Sequence, residues 1–566
     1  MTGQDRWQSG SPSPVSHLLG SLVLLALLIA AIGHWIGIFG WDDGAITLAF
    51  SKTFAETGRL ALTAVSEQVE GFSSTAWFAV NAVVALFRPS FEQAIFWSQI
   101  ATGAAIALAV VFVWLIARKL ALRGDTTFAL LVVLVLFGPT ISEIANGMEM
   151  GLFAASALAL IYWLYFSPRI GLAVAAAAVF LACRFEAMVW FAMMMVPLLV
   201  QRRYKLFFGM ALAGLAVTGL LEVTRFAAFH DWLPNTIYAK TNPPYRWPNT
   251  SRLVTQLHGT VDALTGLFYF LAACCIAFVV SRKARADLWA ALRRPWNVPD
   301  AVIVLLAPVV AAIVLSTLIG LNTGYPGRMQ FPALPCALLL SGLIFDRYLA
   351  PRLTGSTARI VLSLSAIAII LVSLPLSAAL PIRVARAQVR GDREELVHAV
   401  EVNPASYRRT ALAVERVRQL AGMNTITFMT PDVGGVGLCC SRQRVVDLGL
   451  LTNRQLGHEG YAAFPEVFRR ERPDVVEVHS VWGVFSKIYA LPDFVAGYQP
   501  ALIDDTRFFV RDDLARRLQR APRVQICGAE TEPCRSRLQV PHRYAAQADP
   551  GDDAAFARRG TVLLID

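Results

Sequence analysis

The sequence predicts a polytopic α-helical membrane protein that ends in a smaller α/β domain. Three observations predict it. Only 16% of the 566 residues are charged and 56% are hydrophobic, against about 25% charged in average globular chains. The apolar residues gather in blocks of about 17 or more, the length that crosses a hydrocarbon core. From Pro381 onward the chain turns rich in Arg, Asp and Glu, with only short apolar runs.

The blocks give about eleven spans, near 16–38, 93–117, 126–142, 150–166, 170–183, 186–200, 206–224, 259–281, 300–320, 330–346 and 358–380. The blocks at 170–183 and 186–200 are short, so their ends belong near the interface or in a cavity. The Leu18–Phe39 run has one Arg before it and no small-residue cleavage site, so it reads as an uncleaved span. Phe72–Phe87 is left out of the count. Without it, the clusters Arg118/Lys119/Arg123, Arg169, Arg202/Arg203/Lys205, Arg282/Lys283/Arg285 with Arg293/Arg294, and Arg347/Arg352 all fall on one side. That side is then cytoplasmic, and Phe72–Phe87 reads as an amphipathic or half-buried helix on the outer face.

This topology divides the chain into three parts. Residues 1–15 form a polar, disordered cytoplasmic tail. Residues 16–380 form the membrane domain, whose first outer loop, 40–92, carries interfacial helices. Residues 381–566 form an extracytoplasmic α/β domain. In it Thr425–Met429, Val445–Leu448 and Val475–Val478 read as strands, and Ala411–Leu420 and Asp512–Gln519 as helices. The net charge of +11 sits at helix ends, where anionic headgroups attract it; nucleic acid is excluded as a partner. Cys183, Cys274, Cys275 and Cys336 lie in spans as packing residues. Cys439, Cys440, Cys527 and Cys534 lie outside, where disulfides form. Cys527 and Cys534 can close a small loop. A vicinal Cys439–Cys440 bond is rare, which leaves pairing with the later two open.

The loops assigned to the outer face concentrate ionisable residues. Asp42, Asp43, Glu56, Glu67 and Glu70 follow the first span. Asn146-Gly147-Met148-Glu149 follows the third, Arg184-Phe185-Glu186 the fifth, and Arg225 through His230, Asp231, Asn235, Tyr238 and Lys240 the seventh. Tyr325-Pro326-Gly327-Arg328 follows the ninth. Charges at membrane level are costly and mark function. Two neighbouring carboxylates repel, which raises one pKa toward working pH and suits a general base. Arg184, Lys240 and Arg328 suit a phosphate: Arg by its planar fork, Lys as a point charge. Each residue also has a plainer reading. Asp42 can cap the helix over 44–57, Arg184 and Glu186 can be a structural ion pair, Glu149 can serve a helix dipole, and Lys240 and Arg328 can be headgroup anchors.

Trp41-Asp42-Asp43-Gly-Ala-Ile-Thr, then Gly58, then Val69-Glu70-Gly71-Phe72-Ser73-Ser74-Thr75-Ala76-Trp77 resembles the first loop of the type-C (GT-C) membrane glycosyltransferases. The branch most similar contains the terminal β-arabinofuranosyltransferases. Gly147-Met148-Glu149, Arg184-Phe185-Glu186, Leu233-Pro234-Asn235-Thr236 with Lys240, Pro431-Asp432-Val433-Gly434 and Val446-Asp447-Leu448-Gly449-Leu450 also resemble that branch, patchily over about residues 41–455. The resemblance implies a GT-C fold in the bacterial cytoplasmic membrane and an inverting transfer on its outer face. The donor it implies is a polyprenyl-phosphate sugar, arabinofuranose in that branch. The acceptor is a cell-envelope glycan, lipid or protein. It implies Asp42 or Asp43 as base and a donor phosphate held by Arg184, Lys240 and Arg328. Glu70, Glu149, Glu186, Asp231, Asn235 and Tyr238 are the residues expected to position substrate. Some type-C enzymes use a divalent cation (Mg, Mn or Ca), for which Asp42 and Asp43 would be ligands. Gly44 stands where the branch usually has Ala, and Phe72-Ser73-Ser74 where it has Tyr-Thr-Asn. The chain is expected to work as a monomer in contact with membrane lipid, its outer domain shaping the acceptor groove. Two other classes share parts of this pattern: a transporter or flippase of lipid-linked sugars, and a non-enzymatic receptor. Mid-membrane charges and inverted repeats would mark the transporter, and neither is visible.

Overall fold

The computed structural model describes residues 14–243, 245, 252–293, 299–319, 327–392, 396, 403–504, 506–526, 540–541 and 564–565. The N-terminal residues 1–13, Tyr325-Pro326, Cys527 and Cys534 lie outside them. Every expected span falls on a helix or a bent pair of helices. Six helices are long and apolar enough to cross a membrane: Pro14–Trp35, Phe91–Lys119, Tyr204–Phe229, Asp300–Ile319, the run opened by Leu334–Ile344, and Gly355–Ser377. Three shorter apolar helices occupy Met150–Ile161, Ile170–Cys183 and Ala187–Val200. The protein is a multi-pass membrane protein.

Two expected spans are broken. The span over 126–142 is a Gly124–Leu136 helix followed by Gly138–Asn146, bent by 43°. Pro139 lies in the first turn of the second helix; it has no N–H to donate to the Val135 carbonyl four residues back and its ring crowds that carbonyl, which ends the first helix. The Gly138 N–H is satisfied across the bundle by Ser373 Oγ at 3.0 Å, as apolar surroundings require. The span over 259–281 is not one helix either: Arg252–Gly266 and Phe268–Val280 meet at 71°. Gly266 sits at the break, packed so closely on Gly327 that a Cβ would stand 3.2 Å from its Cα. Within Phe72–Phe87 the helix is Thr75–Ala85, 11 residues, about 16 Å long and too short to span a core of about 30 Å. Ser74 caps it, its Oγ accepting the Trp77 N–H at 3.1 Å.

Beyond the Ala379–Arg390 helix the chain builds a mixed sheet of six strands: β1 Ile426–Thr430, β2 Gln443–Asp447, β3 Val475–Val476, β4 Tyr498–Ile503, β5 Thr506–Arg511 and β6 Val524–Ile526. Their order is β2-β1-β3-β5-β4-β6. β1 runs parallel to β2 and β3, with Phe428 paired to Val445 and Val475. The remaining pairs are antiparallel. The apolar runs read as strands are strands, and the helices Pro404–Leu420 and Asp512–Leu518 flank them. Cys439 and Cys440 are bonded to each other. They sit where the short Gly434–Cys439 helix ends, so of the pairings left open the vicinal one is present.

The sheet region and the membrane helices share a core. Phe50, Leu62 and Phe72 pack in one cluster with Val414, Phe428, Val436 and Val475. Phe50 is fully buried, and covering one such ring contributes roughly 1.5–3 kcal/mol. The helix carrying Phe50, Asp42–Thr57, is pressed onto the Gly138–Asn146 helix. A Cβ on Gly44 would lie 2.2 Å from the Asn146 carbonyl oxygen, and one on Gly40 2.4 Å from that of Ala145. Gly44, where the resembled branch has Ala, is therefore what permits this backbone approach. Gly44→Ala is expected to destabilise the protein by about 1–3 kcal/mol; thermal unfolding of the detergent-solubilised variant measures this.

Candidate functional site

The site is organised by the start of the Asp42–Thr57 helix. Trp41 is its N-cap in extended conformation, held by its N–H donating to Asn146 Oδ1 at 2.9 Å. Asp42 and Asp43 both lie in the first turn and neither caps it through its side chain. Two carboxylates there suit the helix dipole. Successive residues project about 100° apart, so the pair faces different partners.

Asp42 is buried. Its Oδ2 accepts the Gly434 N–H and its Oδ1 the Gly435 N–H, both at 2.7 Å. Two glycines are needed there: a Cβ on Gly434 would lie 2.2 Å from the Asp42 carbonyl oxygen, and one on Gly435 2.4 Å from that of Pro404. Burial first, then the Asp432 charge, pushes the Asp42 carboxyl up to about 8, against the lowering pull of the two amides. Asp43 is partly exposed and faces Arg328 Nη1 at 3.3 Å.

Both carboxylates line a cavity of about 320 Å³ together with Glu149, Lys240, Arg328, Asp432, His479 and Trp482. That volume is in the range of small-ligand sites. Lys240 opens into it from an exposed position. The protein groups crowded around its ammonium first, then the Arg184 and Arg328 charges, push it down to about 8. Arg328 is buried on the same cavity.

Arg184 is placed differently. It is buried, its Nη1 donating to Glu149 Oε1 at 2.5 Å while its Nε pairs with Glu186. One cation between two carboxylates has no net positive charge to offer, so the structural ion pair prevails for Arg184 and Glu186. Arg184 is also not among the residues lining the cavity. Glu186, Glu70, Asp231, Asn235 and Tyr238 do not line it either. Glu70 accepts from Arg225 Nε at 2.6 Å, fixing its loop to the Tyr204–Phe229 helix. Asp231 pairs with Arg454 at 3.2 Å and His458 at 3.4 Å. Tyr238 stacks on His458 with centroids 3.8 Å apart. Asn235 Nδ2 donates to the carbonyls of Leu450, Leu451 and Asn453 at 3.0, 2.8 and 3.1 Å. These last three residues dock the sheet region onto the membrane helices. Their side chains bond across that interface and lie outside the cavity lining.

No protein-family model matches the chain, and no curated protein sequence matches it. Among solved structures it is similar to ArnT from Cupriavidus metallidurans in the apo state, with a TM-score of 0.52 at 14% identity over 88% of this chain and 98% of that one. The ArnT structure bound to undecaprenyl phosphate aligns with a TM-score of 0.49 at 14% identity, over 87% and 98%. The likeness to the apo structure shows the fold. Because it covers 88% of this chain, it reaches into the region beyond Arg390.

Sequence reasoning did not assign the wall that this region supplies. Asp432 follows β1, Asp447 ends β2, and Glu477 and His479 follow β3. All sit at the carboxyl ends of adjacent parallel strands, where open α/β sheets place their ligand sites. Pro431-Asp432-Val433-Gly434 was visible as a motif; His479 and Trp482 carried no signal in sequence. Asp447 folds the following loop, accepting from the Gly449 and Thr452 N–H groups at 2.6 and 2.7 Å, and that loop carries the carbonyls that Asn235 bonds.

A divalent cation at Asp42 and Asp43 would share them with partners they already hold. Among the described residues no three His, Cys, Asp or Glu side chains gather as a metal site. Asp42 is committed to two amides and Asp43 faces a guanidinium. Asn235→Ala is expected to leave the Leu450 and Leu451 carbonyls without their side-chain donor, costing about 1–3 kcal/mol. Hydrogen exchange over 448–453 should then accelerate relative to wild type.

Proposed function

We propose that this chain is an inverting glycosyltransferase that moves a sugar from a polyprenyl-phosphate donor to a hydroxyl acceptor at the outer face of the bacterial cytoplasmic membrane. The observation that carries the reading is one cavity in which a buried carboxylate, raised to about 8, meets two cations, Lys240 and Arg328. ArnT, whose fold the chain shares, has a structure with undecaprenyl phosphate bound. The outer orientation rests on the side taken by the basic clusters. Arabinofuranose as the sugar rests on the first-loop motif, and a cell-envelope glycan, lipid or protein as acceptor on the same resemblance.

In this reading Asp42 is the base. A carboxylate has about four lone-pair sites, so the Gly434 and Gly435 amides orient it and leave capacity for an acceptor hydroxyl. The acceptor oxygen bonds to the anomeric carbon from the face opposite the phosphate, and its proton passes to Asp42. The bond from anomeric carbon to phosphate oxygen breaks with its electron pair leaving on the phosphate. Charge grows on that oxygen in the transition state, where fixed cations lower the barrier. Lys240 and Arg328 supply them. Asp43 holds Arg328 in place, and Glu149, tied to Arg184 and Glu186, keeps net negative charge beside Lys240.

Asp42→Asn is expected to lower transfer by about 10²–10⁴-fold with polyprenyl-phosphate binding retained; wild-type-like turnover would remove Asp42 as base. Asp42 acts in its ionised form, so the wild-type rate should fall about tenfold per unit as pH drops below about 8. The pH profile of kcat/KM measures this. The same raised carboxyl gives its stabilising contribution in acid and loses it as pH rises toward 8.

A further inference from the structure

The cavity has two unlike walls. The wall from the membrane helices carries the cations Lys240 and Arg328, and the wall from the sheet region carries Asp432, His479 and the Trp482 ring. Asp432 is firmly held. Its Oδ2 pairs with His479 Nε2 at 3.1 Å, and the Tyr407 side chain lies close enough to its carboxylate to interact with it. His479 is held in turn, its Nδ1 2.7 Å from Glu477 Oε1. Glu477 accepts from Thr430 Oγ1 at 2.7 Å. Burial alone would lower the His479 pKa, but Glu477 and Asp432 together raise it well above its ordinary value. The imidazolium is thus a fixed cation between two carboxylates, and the wall keeps net negative charge. Trp482 meets Tyr245 edge-on, with centroids 5.8 Å apart, and Tyr245 is anchored by its hydroxyl donating to the Gly449 carbonyl at 2.9 Å.

We propose that the sheet-region wall is the acceptor subsite, taking a hydroxyl-rich neutral sugar ring with Trp482 against the ring's apolar face and Asp432 accepting its hydroxyls. This rests on the glycosyltransferase reading and deepens it. A net-negative wall repels a phosphate and accepts hydroxyl donors, so the anionic donor belongs on the opposite wall. An aromatic face suits the C–H side of a sugar ring, while a carboxylate with capacity left takes its hydroxyls in water-poor surroundings. The polar chain Tyr407–Asp432–His479–Glu477–Thr430 fixes Asp432 before the ligand arrives, which spares ordering cost on binding. The ends of β1 and β3, which bear these residues, line the same cavity as Asp42, which meets both walls. His479 and Glu477 are positioning residues in this scheme, because both ring nitrogens of His479 are already engaged.

The test uses the full-length protein in detergent, with octyl glycosides of arabinofuranose, galactofuranose, mannose and glucose as acceptor-side probes and decaprenyl phosphate as donor-side probe. Binding is measured by calorimetry for wild type, Trp482→Ala, Trp482→Phe, Asp432→Asn and the double variant Lys240→Ala/Arg328→Ala. The expected result is that wild type binds at least one glycoside. Trp482→Ala and Asp432→Asn should then weaken that glycoside at least about tenfold, with decaprenyl phosphate unchanged. Trp482→Phe should keep glycoside binding, and it shows that any loss in the Ala variant is not misfolding. The double variant should lose decaprenyl phosphate and keep the glycoside. The subsite is overturned if wild type binds no glycoside, or if glycoside affinity ignores Trp482 and Asp432. Failure of wild type to bind decaprenyl phosphate, with glycoside binding still dependent on Trp482, would instead overturn the donor reading and leave the subsite standing.

Discussion

The Asp42 carboxylate takes one N–H from Gly434 and one from Gly435. Through these two bonds the first turn of a helix at the membrane boundary and the loop after β1 become one surface. The bonds form between groups that water no longer reaches, so leaving either amide unpaired would be costly. The flanking glycines let the backbones come this close, and the core around Phe50 and Val436 locks the approach. The cavity has two walls because this contact brings them together. Asn235, Asp231 and Tyr238 repeat the same tie farther along the interface.

Charge in the cavity is arranged by subtraction as much as by addition. Arg184 is the most obvious cation in sequence, yet Glu149 and Glu186 neutralise it. Crowding by protein groups, with the Arg184 and Arg328 charges, weakens the hold of Lys240 on its proton, and burial beside Asp432 strengthens that of Asp42. An ammonium and a carboxyl both drawn to about 8 respond sharply to an arriving anion or to a hydroxyl proton. Neither behaves so in water, where their values are widely separated.

Much of this organisation was legible in the sequence. Apolar block length marked the membrane helices because bilayer thickness fixes it. Short apolar runs marked β1 and β2 because both strands are largely buried. Asp42 and Asp43 stood out because charge at a helix mouth is costly. What was not legible depends on distances along the chain. Nothing local to Asp42 indicates that its partners are 392 and 393 residues away. The break at Phe137 comes from Pro139 and the one at Leu267 from the packing of Gly266 on Gly327, and hydropathy sees neither. Asn235 and Asp231 looked like site residues since polar side chains in a loop announce a polar partner, and the sequence does not say whether that partner is a ligand or a backbone carbonyl. His479 and Trp482 were silent because a short helix after a two-residue strand has no pattern of its own.

The central claim is that donor phosphate and acceptor base meet in the cavity between the two regions. A density map of the full-length protein with decaprenyl phosphate bound tests it most directly. The account predicts the phosphate within hydrogen-bonding distance of Lys240 and Arg328, on the wall opposite Trp482, with Asp42 still bonded to Gly434 and Gly435. A phosphate held elsewhere, or a cavity that opens by separating Asp42 from those amides, would contradict it.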